Sequence, residues 1–578
     1  MGWRESLARY RRLAPETWIW LALSVLVAVY AVRSTNPFWR MNAALHFDDG
    51  YVTSVGERVL DGRGLPYVDA ASHRGPVLYW LAALAQLLGG RMQWYGVRAL
   101  TNLAFLISTA ALWLAGFGAR RRFAGALAAF LFVFINMCLE ELQSVFGLVG
   151  EAIATPWLVV AFALTSWALT RAQPLGRRCL LLGAAGLTAS LSGLCKQTYL
   201  PAVVPLALWA GADALRMRGS RWERWGGLTS LCLGWLLPLA VVVGIYAVAG
   251  ELQTFYYWFF RYNVDVYMAP FENAKVMKTL YAWALDHGYL ALSGVVLLSS
   301  VASRHLGPVL RSLHQLPEEY ARRGFDLTLV WLGIFGVAAG FSTLRMWPQY
   351  YLPPIPWFSL LIGVSVEQGV GYSPYEAHPE PRPWASMLTF SVLLAAFSTG
   401  MLEEVLHSVR QQRRTGGLAD ARPERACEHI NQLAPPNEPI FIWGFDGDLY
   451  ITCQRHAASR YVYSTLVAGI VPPDWRIHEE WSARDSVANL ISDLDNSHTP
   501  LILDSPARLH GVSMTQIKPL DAYLRKNYCE SGNFRSNDGR PMTAWLRLDL
   551  CPKPVAGASE HAAEQSPTAL ARGSNPAN

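Results

Sequence analysis

Two adjacent carboxylates and a nearby cation are the residues of this 578-residue sequence that could most readily do chemistry. The run FDDGY contains Asp48 and Asp49, and the pair His73 and Arg74 follows in the same polar segment. A carboxylate can take a proton from an attacking group, and a guanidinium can hold two oxygens of a phosphate. Pro76 then begins an apolar run typical of a helix, whose N-terminus also favours anions. The pattern predicts a site for a phosphorylated substrate, with solvated loop acids and a headgroup-facing arginine as the structural alternatives.

Three further charged residues stand at the edges of apolar runs. Lys196 lies between two such runs. At the centre of a bilayer its charge would cost about 2.5–3.5 kcal/mol, so we expect it at a turn, as a second candidate for binding phosphate or as a solvated lysine. Arg345 precedes a run rich in Pro and Tyr and is a third phosphate candidate. Glu151 opens an apolar run, where it can bind substrate hydroxyl groups or cap its own helix.

A metal ion is an alternative way to meet the charge of a phosphate. His46, Asp48, Asp49 and His73 form a set capable of binding one. Magnesium or manganese would favour the carboxylates, and zinc would favour the histidines. Because arginine and lysine can serve instead, we expect no metal ligands and no required cofactor, with a divalent cation as the alternative. The sequence has no phosphate-cradling glycine-rich loop, zinc-ribbon spacing or serine nucleophile elbow.

The elements that must position these residues are membrane helices. Apolar residues make up 52% of the chain and charged residues only 16%, against about a quarter charged in soluble globular proteins. A run of about 17–25 apolar residues can cross a bilayer, so the sequence predicts a polytopic α-helical membrane protein with about 11 transmembrane (TM) helices. The predicted spans lie near residues 17–34, 94–118, 123–139, 151–170, 179–195, 198–214, 227–249, 283–301, 326–342, 350–366 and 385–402.

Arginine clusters predict the orientation of the chain. They precede the first predicted span and recur after the second, fourth, sixth and eighth, as expected of cytoplasmic loops. The N-terminus is therefore predicted to be cytoplasmic, and an odd number of spans places the C-terminal third outside. These loops account for the net charge of +6, so we expect no nucleic-acid partner. The first apolar run could instead be a secretory signal ending near Ala31.

Two of the predicted exterior loops are unusual. The loop at about 35–93 carries the acid pair and ends in an apolar run at 76–90, which is short for a crossing. We expect this run to be a helix lying at the membrane interface. The loop at 250–282 is rich in Phe, Tyr and Trp, which concentrate at the level of lipid headgroups. Both loops are therefore expected at the exterior membrane surface.

The pattern changes beyond about residue 403. Short apolar runs there predict strands, and an amphipathic run at 483–496 predicts a helix. We therefore expect a transmembrane catalytic domain at 1–402, a small extracytoplasmic α/β domain at 403–552 and a disordered tail at 553–578. The predicted strands are FIWGF at 441–445, LYITC at 449–453, PLILDS at 500–505 and AWLRLDL at 544–550.

The eight cysteines divide between these two regions. Four lie in apolar runs, where buried free thiols are expected: Cys138, Cys179, Cys195 and Cys232. Four lie in the polar C-terminal third: Cys427, Cys453, Cys529 and Cys551. Two disulfides would suit an exterior domain, and the sequence leaves their pairing open.

The order of these motifs resembles a known family. DDGY, then DGRGLPY, then SHRGPVLYW is similar to the first exterior loop of the polyprenyl-phosphate-dependent GT-C glycosyltransferases. The likeness is to the bacterial branch related to dolichyl-phosphate-mannose protein mannosyltransferases and to the lipid A aminoarabinose transferase. GLCKQTYL at 193–200 resembles a Phe-Lys-Gln turn of the family, and RMWPQYYLPPIPW at 345–357 resembles its Arg…Pro-x-Tyr…Pro segment. Glu151 stands where the family often has Thr-Glu.

The resemblance implies a reaction and roles for residues. A sugar would pass from a polyprenyl-phosphate donor, in the exterior leaflet of the bacterial inner membrane, to a glycolipid, glycan or protein acceptor, with inversion at the anomeric carbon. Asp48 would be the base and Asp49 would orient it or the acceptor, unless the two acids exchange these roles. The resemblance further implies that Arg74, Lys196 and Arg345 bind the donor phosphate and that His73, Glu151, Gln197 and Tyr350 bind the substrate.

The sequence also departs from the family pattern. Asp49 replaces a Glu, Arg74 replaces a Lys, and Gly75 replaces the first Pro of a Lys-Pro-Pro-Leu run. The chemical types are kept, so the resemblance supports a reaction class rather than one substrate. A lipid transporter or flippase, or a non-catalytic subunit of an envelope-assembly complex, are the alternatives. The sequence shows none of the related halves that transporters often have.

Overall fold

Helices dominate the described part of the chain. The computed structural model describes residues 47–138, 147–268, 316–341, 348–369, 425–471, 474–535 and 540–552. Up to residue 369 the helices are α1 Phe47–Asp61, α2 Pro76–Gly89, α3 Trp94–Gly118, α4 Arg122–Cys138, α5 Gly150–Thr170, α6 Leu175–Cys195, α7 Val203–Arg216, α8 Arg221–Val248, α9 Leu252–Tyr256, α10 Leu316–Phe341 and α11 Ile355–Gly369. Short 3-10 helices cover Gln197–Ala202 and Pro348–Tyr351, and π-helical turns cover Tyr257–Arg261 and Asn263–Tyr267.

Six helices of the described part are long and apolar enough to cross a membrane. Each coincides with a predicted span, and the prediction of a multi-pass membrane protein is confirmed. The predicted spans near 123–139 and 350–366 fold as α4 and α11, whose apolar segments are shorter. Those near 17–34, 283–301 and 385–402 lie outside the described residues, so the total of about 11 stays a prediction. The six are Trp94–Gly118, Gly150–Thr170, Leu175–Cys195, Gln197–Arg216, Arg221–Val248 and Arg323–Gly340.

Helix α8 shows which surface faces lipid. Its apolar stretch is the least buried of the six, at 17%, and large apolar side chains such as Leu233, Leu237 and Val241 are exposed. Its other side packs on α6 through glycines. A Cβ added at Gly186 or Gly234 would fall 2.0 Å from a carbonyl oxygen of the other helix. Small residues at such contacts let membrane helices pack closely.

A buried charge cluster joins the helices at the end of α3 that is remote from the acid pair. Arg121, one of the arginines predicted to mark a cytoplasmic loop, is buried. Its Nη2 lies 2.8 Å from Asp326 Oδ2 of α10, and its Nη1 lies 3.2 Å from Glu367 Oε2 of α11. Buried charges need such partners. The cluster therefore ties α10 and α11 to the turn that precedes α4.

The segment predicted as the first exterior loop is largely helical. The acid pair, predicted to lie in a loop, stands instead in the first turn of α1, where the helix macrodipole favours carboxylates. The short helix predicted at 76–90 is confirmed as α2, which begins at Pro76. Before it, Gly75 N–H donates to Cys195 O at 3.2 Å, and a Cβ on Gly75 would fall 1.9 Å from Leu194 O. Glycine at this position, rather than proline, therefore lets the loop hydrogen-bond closely to the end of α6.

The described residues of the C-terminal third contain a four-stranded sheet with surrounding helices. The order of the strands in the sheet is β1-β2-β4-β3, with β1 and β2 parallel and the other pairs antiparallel. The elements are α12 Arg425–Leu433, β1 Phe441–Trp443, α13 Asp448–Thr452, α14 Thr465–Ala468, α15 Ser486–Asn496, β2 Leu501–Asp504, α16 Lys518–Asn527, β3 Tyr528–Arg535 and β4 Pro541–Arg547.

The predictions for this third have mixed outcomes. Strands β1, β2 and β4 and helix α15 occur at the predicted places, whereas α12, α16 and β3 were not predicted. The predicted strand at 449–453 is wrong, because this run forms α13. Its consecutive apolar residues are all buried, and such a short run does not distinguish a strand from a buried helix. The disulfides Cys427–Cys453 and Cys529–Cys551 decide the pairing that the sequence left open.

The C-terminal third packs directly on α1. Tyr51 Oη donates to Gly444 O at 2.5 Å, and a Cβ on Gly447 would fall 2.6 Å from the Tyr51 ring. A Cβ on Gly50 would fall 2.1 Å from the backbone nitrogen of Asp448. The glycine of the DDGY motif therefore allows the backbone of α13 to approach α1. This contact brings C-terminal residues next to the acid pair.

Candidate active site

Asp48 and Arg74 form a buried ion pair at the start of α1. Asp48 Oδ1 lies 2.7 Å from Arg74 Nη2, and only 3% and 11% of the two side chains are exposed. The first turn of α1 holds the carboxylate, and the turn before α2 brings the arginine to it. The candidate base and the candidate phosphate ligand are thus in direct contact, each supplying the counter-charge that burial requires.

Asp49 has a different set of partners. Its Oδ2 accepts from Arg98 Nη2 of α3, and its Oδ1 accepts from the backbone N–H of Leu148. The side chains of Asp49 and Arg98 are fully buried. Both carboxylate oxygens of Asp49 therefore accept hydrogen bonds from the protein itself. Arg98 was missed by the sequence analysis, although an arginine within an apolar span is itself a signal of a buried acidic partner or a functional site.

Arg74 has a second terminal guanidinium nitrogen, for which the described residues offer no hydrogen-bond partner. Its Nη1 is buried and has no hydrogen-bond partner among the described residues. The ring of Tyr463, from the segment before α14, has its centroid 5.8 Å from Arg74 Cζ. A buried donor without a partner costs free energy and suggests a place for a ligand atom.

Glu151 and Lys196 form a second buried ion pair. Lys196 Nζ lies 2.8 Å from Glu151 Oε1, and 10% and 4% of the side chains are exposed. Lys196 caps the C-terminus of α6, at the turn where the sequence predicts it, and Glu151 stands in the first turn of α5. Lys196 Nζ also lies 5.3 Å from the ring centroid of Tyr350. Three predicted site residues therefore meet here.

His73 is held by residues from two separate stretches of the chain. Its carbonyl oxygen accepts from Gln197 Nε2 and from Asn263 Nδ2, each at 2.8 Å. Its ring stacks on Tyr267 with a centroid distance of 4.5 Å, and the hydroxyls of Tyr267 and Tyr350 are 2.6 Å apart. Asn263 and Tyr267 lie in a π-helical turn, a feature often found at functional sites. Tyr267 is a further residue that the sequence analysis did not select.

A different group of residues is close enough to hold a metal ion. In the described part of the chain, ligand atoms of Glu57, Asp61 and His456 lie within 4.8 Å of one another. Arg91 pairs with both carboxylates, so one positive charge already lies beside the two acids. The residues predicted as a metal-capable set do not form this group, and His46 of that set lies outside the described residues.

The structure gathers most of the predicted site residues into one cluster at the ends of α1, α5 and α6. Two cations there sit beside two carboxylates, so the cluster can bind an anion while a carboxylate stays near it to accept a proton. Asp49 is adjacent but bound to α3, and Arg345 lies outside the described residues. The residues brought together are Asp48, His73, Arg74, Glu151, Lys196, Gln197 and Tyr350.

Comparison with known proteins bears on the fold. No protein-family model and no curated protein matches the sequence. The chain is similar to ArnT from Cupriavidus metallidurans bound to undecaprenyl phosphate, with a TM-score of 0.52 and 14% identity over 93% of this chain and 100% of that one. For ArnT in the apo state the TM-score is 0.50 and the identity 16%, over 93% of this chain and 100% of ArnT. The chain is also similar to AglB, an archaeal oligosaccharyltransferase from Archaeoglobus fulgidus in complex with an inhibitory peptide and a dolichol-phosphate. Here the TM-score is 0.45 and the identity 12%, over 93% of this chain and 75% of AglB.

At these identities the likeness to ArnT shows a shared fold. The whole of ArnT is covered, so the likeness includes both the membrane helices and the C-terminal third. The resemblance that the motifs predict is therefore confirmed at the level of the fold.

Proposed function

We propose that this chain is a membrane glycosyltransferase that moves a sugar from a polyprenyl-phosphate donor to an extracytoplasmic acceptor. The observation that carries the proposal is the buried pair of Asp48 and Arg74, in which a candidate base and a candidate phosphate ligand touch. The fold shared with ArnT, which has been solved with undecaprenyl phosphate, supports the choice of donor. The acceptor is a glycolipid, a glycan or a protein, and the membrane is the bacterial inner membrane.

The donor phosphate is stabilised by positive charge. Arg74 Nη1 has no partner among the described residues, and Lys196 belongs to the neighbouring ion pair. Phosphate is a good leaving group once its charge is met, so little general-acid assistance is needed. Arg345 remains a third proposed ligand. Because these cations can hold the phosphate, the reaction as proposed requires no metal.

The acceptor is activated by Asp48. Arg74 Nη2 keeps this carboxylate oriented, while Nη1 of the same guanidinium faces the phosphate. With the base on the face of the anomeric carbon opposite the departing phosphate, the proposed reaction inverts the anomeric configuration. Asp49, with both oxygens bound by the protein, orients Asp48 rather than exchanging roles with it.

The remaining residues position the substrate. Glu151 faces the sugar hydroxyls from the first turn of α5, and Tyr350 lies beside Lys196. Gln197 acts through the backbone of His73, to which it donates. His73 and Gln197 together fix the turn that carries Arg74.

The test is transfer of label from radiolabelled polyprenyl-phosphate sugars by the purified protein, comparing native protein with Asp48→Asn. We expect a loss of turnover of at least about 100-fold, because a general base contributes about 10²–10⁴-fold. Asp61→Asn is the matched control, since Asp61 lies on the same helix and 42% of its side chain is exposed. Donor binding by each variant reports whether the fold is kept.

Two outcomes would overturn the proposal. If Asp48→Asn binds the donor and turns it over at the native rate, Asp48 is not the base. If the native protein binds the donor and moves the intact lipid between leaflets without releasing sugar, the flippase alternative is correct.

A further inference from the structure

The C-terminal third reaches into the candidate active site through one side chain. Tyr463 is 4% exposed, and its ring stacks on Tyr51 of α1 with a centroid distance of 4.3 Å and an interplanar angle of 21°. The same ring lies 5.8 Å from Arg74 Cζ and 6.4 Å from the ring of His73. A residue from the C-terminal third is therefore fixed within the group that the proposed function uses.

The Tyr463 hydroxyl differs in its hydrogen bonding from two other buried tyrosine hydroxyls of the C-terminal third. It is buried and has no hydrogen-bond partner within the described ranges. By contrast, Tyr450 Oη accepts from Ile442 N at 2.8 Å, and Tyr528 Oη donates to Thr499 O at 3.0 Å. Buried hydroxyls normally find a partner. An unpaired one beside a charged site is therefore explained if a ligand supplies the acceptor.

Two buried donors without a partner among the described residues come from different parts of the molecule. They are the hydroxyl of Tyr463 and Nη1 of Arg74. Burial raises the pKa of Tyr463 well above its ordinary value and Arg74 lowers it only in part, so the hydroxyl keeps its proton and can donate. A guanidinium nitrogen and a neutral hydroxyl, both donors, suit an acceptor with several oxygens and negative charge.

We propose that Tyr463 donates a hydrogen bond to the donor phosphate beside Arg74, so that the phosphate site is complete only when the C-terminal third is docked on α1. The inference rests on the proposed function. It adds a ligand-binding residue that no motif in the membrane part contains. The close approach of α13 to Gly50 and the stacking of Tyr463 on Tyr51 belong to the same contact between α1 and the C-terminal third.

The test compares Tyr463→Phe with Tyr461→Phe in the full-length protein. Both changes remove one hydroxyl from a buried tyrosine in the same segment, and the Tyr461 hydroxyl accepts from Asn489 at 3.3 Å. Binding of undecaprenyl phosphate is measured in nanodiscs, with inorganic phosphate as competitor. We expect Tyr463→Phe to weaken binding about tenfold, the range for a hydrogen bond to a charged group. Tyr461→Phe should bind as the native protein does.

Each outcome decides a separate point. Unchanged binding by Tyr463→Phe, with native binding intact, overturns the inference and leaves the proposed function standing. An equal loss in both variants also overturns it, because domain packing would then be the cause. If inorganic phosphate competes as well as the lipid does, the site takes free anions and the assignment to a lipid donor is wrong. If the native protein binds no polyprenyl phosphate, the proposed function fails and the inference fails with it.

Discussion

Adjacent residues of a helix do not face the same way, and this separates the two acids of the DDGY motif. Asp48 reaches Arg74, whereas Asp49 reaches Arg98 and the backbone of Leu148. Successive side chains on an α-helix are rotated by about 100°. One acid can therefore face the cluster of candidate site residues while its neighbour anchors α1 to α3.

At the residue scale, we expect Arg98→Met to destabilise the protein without altering the chemistry directly. The change leaves Asp49 buried without its counter-charge, which costs about 3–5 kcal/mol. Chemical unfolding in detergent measures the loss. Arg63→Met is the control, because 55% of the Arg63 side chain is exposed and exposed ion pairs contribute about 0–1 kcal/mol. Native stability in Arg98→Met would show that Asp49 has no structural role.

Helix α1 both carries the candidate base and contacts the C-terminal third. Its first turn carries the candidate base, and its face bearing Tyr51 packs on the C-terminal third. The helix that carries the candidate base is therefore also the one on which the C-terminal third packs. Glycine at position 50 is required for this, because backbone atoms of Asp448 occupy the space of its Cβ.

At the element scale, we expect Gly50→Ala to loosen this contact. An added methyl group would have to push α13 away, and overpacking costs about 1–3 kcal/mol. Limited proteolysis should cut the C-terminal third faster than in the native protein, and donor binding should weaken. Gly176→Ala is the control, since a Cβ there meets no atom within 4 Å. Equal proteolysis of the two variants would show that the contact does not hold the domains together.

The candidate active site lies at one end of the helix bundle that the described residues form. The cluster of candidate site residues and the C-terminal third lie at the end where α3 begins, and the Arg121 cluster lies at the other end. Two disulfides in the C-terminal third suit an oxidising compartment. The same orientation is predicted from the arginine-rich loops.

At the scale of the molecule, we therefore expect the C-terminal third to be exterior. Protease added to intact spheroplasts should remove a tag at the C-terminus and leave a tag at the N-terminus intact. Lysed spheroplasts, in which both tags should be cut, provide the control. Protection of the C-terminal tag in intact spheroplasts would reverse the predicted orientation and place the candidate active site on the cytoplasmic side.

Short patterns in the sequence predicted those elements whose formation depends on residues close together in the chain. Of the 11 spans that the apolar runs predict, six coincide with described helices long and apolar enough to cross a membrane, and α2 begins at the proline of SHRGP as predicted. Such signals work because span length and helix initiation depend on residues within one run or one turn. The strand predicted at 449–453 was wrong because five apolar residues fit a buried helix equally well.

The sequence by itself determined that the protein is a multi-pass membrane protein, where six of its candidate spans lie, and which residue types could bind a phosphate. Only the tertiary structure decided which acid stands beside Arg74, which cysteines pair, and that Tyr463 lies against α1. These features depend on contacts between residues far apart in the chain, such as Asp49 with Leu148 and Tyr51 with Gly444. Such contacts follow from how whole elements pack, which no short run of sequence encodes.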